Sequence, residues 1–298
     1  MSQSAAALLR APLFEPSRQE LQAASRVTYV LHQRLRYSYD GPVRDLDHRL
    51  VVVPRRQHGG QRRRLQSVTV SVPGAPTTTA RTTTGRDREG NTVSRARVPL
   101  VPAEVEFEVA AVVDRSGPVD VLLPATARTD PRLLEPTQLT AADAAIRDLA
   151  ASLAGPDPIA TAEHYCDYVY RAISYEYGVT SVLTTAAEAL AGGRGVCQDS
   201  AHVMIALCRA ARLPSRYVSG HLLGEGGTHA WVEVVVADPA GARAVAFDPC
   251  NGRRAGNDYL TVATGRDYAD VAPTSGTYLG TARGTLTAAK RVGVALVA

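Results

Sequence analysis

Between residues 27 and 113 apolar side chains recur at every second position, a period that extended strands satisfy and helices do not. Val27, Tyr29, Leu31, Leu35, Tyr37 and Tyr39 share one parity, and Thr28, His32, Arg34, Arg36 and Ser38 take the other. The clearest stretch is EVEFEVAAVV, in which Glu104, Glu106 and Glu108 alternate with Val105, Phe107 and Val109. Each such strand has one face to bury and one face to wet. Further strands are expected at 49–54, 66–72 and 92–100, with GRDREGN at 85–91 as a hairpin turn. Several short half-exposed strands in succession predict a small antiparallel sandwich.

The period is lost at 116–140, where Gly117 and four prolines read as a connection. Helical signals follow. Thr140 with Asp143 resembles a capping box for a helix ending near Gly155, and Asp157 with Pro158 supplies an N-cap and first-turn proline for a helix to about Ile173. A third helix is expected from Cys197, with Ala201, Met204, Ile205 and Cys208 as its buried stripe. Strand-like segments return at 215–223, 229–237 and 243–249. The chain therefore reads as α+β, divided into an extension at 1–24, a β-rich domain at 25–115, a linker at 116–140 and a second domain at 141–298. With 298 residues, 45% of them apolar, both domains can bury a core.

No apolar run approaches the length of a membrane span, and AAALLRAPLF near the start is short and broken by Arg10, so neither a span nor a signal peptide is expected. Cys166, Cys197, Cys208 and Cys250 lack C-x-x-C spacing, which argues against a disulfide framework or zinc cluster and favours the cytoplasm. The net charge of +4 is uneven: residues 1–140 carry 20 arginines and 14 acids, residues 141–298 carry 13 basic residues and 15 acids. Arginine outnumbers lysine 32 to 1, as a GC-rich genome would produce. The densest run, RRQHGGQRRR at 55–64, has no interleaved aromatic to stack a base, so it is read as a solvated loop between strands and not as a nucleic-acid site.

Cys197 stands out chemically. It follows Gly192, Gly193 and Gly195 and opens a helix, where unpaired amides and the positive end of the macrodipole favour a thiolate. Cys208 and Cys166 lack that setting and read as packed core thiols. A nucleophilic thiol needs a base, and the base needs an orienting partner. His202 lies about 140° around the same helix from Cys197, so it is read as structural. His221 follows a glycine and has no distinguishing partner. His229 opens a strand after GEGGT, sharing a face with Trp231 and Glu233. Asp248 ends the next strand, where an antiparallel neighbour would bring its carboxylate beside His229; an Asp-Pro turn is the alternative reading.

Three blocks, GRGVCQDSAHVMIALCRAARLPSRYVSG, THAWVEV and AFDPCNG, resemble the signature blocks of the transglutaminase-like superfamily of papain-like cysteine enzymes. The trailing YLTVATGRDYADVAPTSG, and the LRYSYDGPV and LVVVPR segments of the front half, are similar to bacterial members with a fused N-terminal domain. The resemblance implies a papain-like, transglutaminase-like catalytic domain with Cys197 as nucleophile, His229 as general base and Asp248 as its orienter. Cys250 departs from it, standing where a small polar residue is expected.

The leading expectation is a thiol enzyme that forms a thioester from a peptide, protein or small-amide donor and hydrolyses it, with Gln198 and Trp231 as substrate-binding candidates. Helix-start amides would hold the oxyanion. Transfer to an amine acceptor is the alternative, and Trp231 could then form a water-excluding wall; the other reading of this single tryptophan is a core residue. A non-catalytic binding protein and a metal site at Cys197, His229 and Asp248 or Cys250 rank below. No cofactor or metal is expected, because the usual ligand spacings and calcium loop are missing.

Overall fold

The computed structural model describes residues 5–74 and 80–298. Its longer elements are numbered here in chain order. The front half contributes β1 (Arg26–Tyr39), β2 (Val43–Val53), β3 (Gln61–Ser71), β4 (Arg81–Arg86), β5 (Thr92–Val101) and β6 (Glu104–Ser116). After β7 (Val121–Leu123) come α1 (Ala144–Ser152), α2 (Pro158–Ala172), α3 (Ala186–Gly192) and α4 (Cys197–Ala210). The chain continues as β8 (Ser215–Leu222), β9 (His229–Asp238), β10 (Gly241–Asp248), β11 (Tyr259–Gly265), β12 (Thr274–Leu279) and β13 (Gly284–Val297).

The expected sandwich forms from two antiparallel sheets. One runs β13–β1–β6–β3 with a short strand at 57–58 on its edge; the other runs β12–β2–β5–β4. Leu35, Val105 and Phe107 from the first meet Leu46, Leu50 and Val98 from the second, so the period-two apolar parity becomes the core between them. The alternation is incomplete at the start of β1, where Thr28 and Val30 are buried as well; Leu8 of the N-terminal extension covers Val30. The first four residues of that extension lie outside the described residues.

The third sheet runs β10–β9–β8–β11, extended beyond β10 by residues 253–254. Val232, Val234 and Phe247 pack against the helices. The opposite face is covered too, so β9 is buried from His229 to Val236, as expected of a central strand sandwiched between layers. α4 is likewise buried from Gln198 to Arg209 and is wrapped by β9, α1, α2 and α3. The sequence stripe of Ala201, Met204, Ile205 and Cys208 marked only one side of a helix that is enclosed all round.

Four expectations are corrected. The segment 116–140 is not a bare linker: β7 pairs with β10, and helical turns occupy 125–129 and 131–134. Residues 274–297, assigned to the second domain, instead complete the two front sheets, β12 beside β2 and β13 beside β1. The arginine-rich run is partly strand and partly buried. His58 contacts Glu233 at 2.6 Å, while Arg63 reaches the Pro54 carbonyl and Thr92. Asp143, not Thr140, caps α1, with its carboxylate accepting from the Ile146 amide at 2.8 Å. Asp157 and Pro158 begin α2 as expected.

The free edge of β11 shows how the halves are joined. An edge strand leaves a row of backbone groups unpaired. Gln61 supplies both partners to Thr261, donating to its carbonyl at 2.8 Å and accepting from its amide at 3.0 Å. Asn91 does the same for Thr264 at 2.8 and 2.9 Å. Two buried side-chain amides thus stand in for an adjoining strand.

Candidate active site

The glycine-rich approach to α4 has a steric cause. A Cβ on Gly195 would lie 2.6 Å from the Asp199 carboxylate, which folds back to accept from the Val196 amide at 2.8 Å and from the Thr180 hydroxyl at 2.7 Å. Asp199 therefore pairs one of the donors that a helix start leaves open. Its side chain fixes the turn that presents Cys197. The Cys197 thiol is partly exposed, whereas Cys166 and Cys208 are buried. Burial pushes both of those thiols up to about 12.

His229 is the first residue of β9 and is 3% exposed, so its ring is held by neighbours and not by water. Its Nε2 contacts Asp248 Oδ2 at 2.7 Å. That leaves Nδ1 for the other side, where Glu225 Oε2 lies at 3.2 Å and where Cys197 borders the same cavity as the ring. Burial alone would lower the ring's proton affinity, but the bonds with Asp248, Cys197 and Glu225 outweigh it and raise it. In the extrapolated β9–β10 register Asp248 lies diagonally from His229, a relation that side chains of this length span.

Asp248 is fully buried and saturated with donors. Oδ2 also accepts from Tyr259 at 2.6 Å and from the Asn251 side chain at 2.8 Å, while Oδ1 accepts from the backbone amides of Cys250 at 2.9 Å and Asn251 at 3.2 Å. Burial opposes ionisation, yet His229, Tyr259 and Asn251 together hold the carboxyl below its usual range. Such a carboxylate fixes ring orientation and compensates positive charge on it. Tyr259 and Asn251 were not singled out from the sequence; the Asx turn within DPCNG was the available signal for Asn251 alone. Cys250, the unexplained departure, contributes its backbone amide to Asp248, and burial pushes its thiol up to about 12.

The other candidates separate clearly. His202 is buried, accepts from the Tyr268 amide at 3.2 Å and is pushed down to about 4 by burial, so it is a neutral structural residue. His221 is buried and pushed down to about 3. Gln198 borders the cavity at Cys197, with its side-chain amide donating to the Ser181 carbonyl at 3.4 Å. Trp231 does not border it. The indole is 1% exposed and lies behind His229, ring centroids 6.2 Å apart, packed edge-on to Tyr259. Of the two sequence readings of Trp231, the substrate-binding wall is corrected and the core residue holds, and Gly220 is glycine because a Cβ there would meet the indole at 2.4 Å.

The cavity above Cys197 and His229 has a volume of about 530 Å³. Tyr175, Tyr177, Tyr217 and Tyr268 supply its aromatic surface, and Leu35 of β1 with Leu286 of β13 forms a wall from the front sheet. Tyr177 is 88% exposed, and the same loop leaves Val182 and Leu183 exposed. Among the described residues no group of three or more His, Cys, Asp or Glu side chains is arranged to hold a metal ion. No described helix is long and apolar enough to cross a membrane.

Comparison with known proteins bears on this arrangement. Residues 147–249 match the transglutaminase-like superfamily, and residues 29–114 match the bacterial transglutaminase-like N-terminal region. An uncharacterized protein of Mycobacterium leprae is 37% identical over 118 residues, covering 36% of this chain and 40% of the relative. One from Mycobacterium tuberculosis strain H37Rv is 37% identical over 120 residues, covering 36% and 38%. The matches thus span less than half the length of these relatives. A crystal structure from Cytophaga hutchinsonii, provisionally named a cysteine protease, superposes with a TM-score of 0.72 at 21% identity, covering 90% of this chain and 91% of that one. At that identity the likeness is one of fold.

Proposed function

We propose that this chain, which belongs to the transglutaminase-like superfamily, is a thiol-dependent hydrolase that cleaves an amide bond of a peptide or protein through a thioester on Cys197. The observation that carries this reading is the placement of Cys197 and His229 together on one open cavity, with Asp248 buried behind His229 and bonded to its Nε2. In the proposed cycle the Cys197 proton passes to His229 Nδ1 and the sulfur attacks the donor carbonyl carbon. Backbone amides at the start of α4 stabilise the oxyanion. The C–N bond breaks, the amine leaves with the proton from His229, and water, deprotonated by the same nitrogen, attacks the thioester to give the acid and restore the thiol.

Exposed Tyr175, Tyr177 and Leu183 beside the cavity suit an extended polypeptide donor better than a small polar amide. The four cysteines are free thiols, which suits a reducing compartment such as the cytoplasm. The loop before His229 carries three glycines and leaves the approach open to solvent, which favours water as the acceptor. The test is a peptide library offered with and without a primary amine, read by mass spectrometry. Acid product independent of Asp or Glu side-chain chemistry and lost in Cys197→Ala supports the hydrolase. Amide product dominating at low amine concentration makes the chain an acyl transferase, and no Cys197-dependent product overturns both.

A further inference from the structure

Lys290 is the only lysine in a chain with 32 arginines, and its place in the fold is specific. It lies on β13 opposite Gln33 of β1, and its side chain enters the cavity that holds Cys197 and His229. Among the described residues bordering that cavity no aspartate or glutamate occurs, and Lys290 is the one lysine or arginine. An ammonium has three donors. One is taken by the Gly227 carbonyl and a second faces His221 Nδ1 at 3.4 Å, so a third remains for the cavity. No carboxylate of the described residues pairs with it; Glu225, whose charge acts on it, is engaged with His229. Burial lowers Lys290 to about 8, with Glu225 acting in the opposite direction.

A half-buried cation with a spare donor and no carboxylate of the described residues at ion-pair distance is an incomplete ion pair. We propose that Lys290 is a specificity-determining residue that receives a carboxylate of the acyl donor, so that this site selects donors carrying a negative charge near the reacting carbonyl. The ammonium is available for the role because two of its three donors are held by one loop carbonyl and one ring nitrogen while the third stays free. The carboxylate has two sources in a polypeptide, a chain terminus or an acidic side chain, and the two place it at different reach from the scissile bond. This inference rests on Cys197 being the reacting thiol.

The experiment compares alkylation of Cys197 in the full chain by paired probes that differ only in charge. Iodoacetyl-glycine is set against iodoacetyl-glycinamide to mimic a terminal carboxylate, and iodoacetyl-glutamate α-amide against iodoacetyl-glutamine α-amide to mimic a side chain. In the wild type at least one acid is expected to label Cys197 about threefold to fivefold faster than its amide, the rate equivalent of one partly screened ion pair. The ratio should fall toward one in Lys290→Met, persist in Lys290→Arg and shrink in high salt. The pair that shows the preference identifies the source. An acid-to-amide ratio near one in the wild type, or a preference that survives Lys290→Met, overturns the role of Lys290 while leaving the thiol intact. Cys197 unlabelled by all four probes overturns the thiol reading and this inference with it. If Lys290→Met does not fold, the wild-type ratio and its salt dependence still decide.

Discussion

Asp248 is the most heavily bonded side chain of the site, and its partners predict a graded series. Cys197→Ala should abolish turnover, whereas Asp248→Asn should retain a residue of it, about 10²- to 10⁴-fold below wild type, because orientation and charge are lost while nucleophile and base remain. Tyr259→Phe removes one hydrogen bond to Oδ2 and should cost about 1 kcal/mol of stability and only a few-fold in rate. Steady-state kinetics on the three variants checks the order. Buried histidines give a separate prediction. His48 and His202 are lowered to about 4 and His221 to about 3 by burial, so each stays neutral in the fold but takes a proton when unfolded near pH 6.5. The unfolded state then binds more protons, and stability should fall as pH drops from about 6.5 toward 4, by up to about 1.4 kcal/mol per pH unit for each ring. Urea melts at pH 7 and pH 5 measure the loss; equal midpoints would contradict it.

At the level of elements, the start of α4 depends on Gly195 lying against Asp199. Gly195→Ala forces the carboxylate off the Val196 amide and should destabilise the fold by about 1–3 kcal/mol, with Cys197 reactivity toward iodoacetamide reduced more than that of a merely destabilised control. The sequence made this element visible because glycines, a helix-start thiol and an apolar stripe are all local. Strands were legible for the same reason: a period of two requires no knowledge of the partner. What periodicity does not carry is pairing over distance. β13 meets β1 with Val27 opposite Val297, so no local pattern near residue 290 places it in the front sheet. Tyr259, Asn251 and Glu225 escaped for a related reason, since they matter only through one carboxylate and one ring that the fold brings to them. Trp231 stayed open between wall and core because a shared strand face does not distinguish the cavity side of His229 from the core behind it.

For the whole molecule, the joint between the halves combines apolar contacts, such as Leu260 with Tyr29 and Leu31, with buried amides and charges. Gln61→Ala leaves the amide and carbonyl of Thr261 without partners inside the joint and should cost about 3 kcal/mol, seen as a lower thermal midpoint. Glu233 extends the joint, binding His58 from the front half at 2.6 Å and Arg216 of β8 at 2.7 Å. Deleting residues 284–297 would leave one edge of β1 unpaired from Val27 to Tyr39, its other edge staying on β6, and should convert the protein to an aggregating form, measurable by light scattering. The same strand carries a consequence in time. During synthesis Cys197 leaves the ribosome before Lys290, and at about 5–20 residues per second the interval is roughly 5–20 s. For that interval the thiol exists without its cavity wall, so the nascent chain carries a potential nucleophile before it has the surface that would choose a substrate for it.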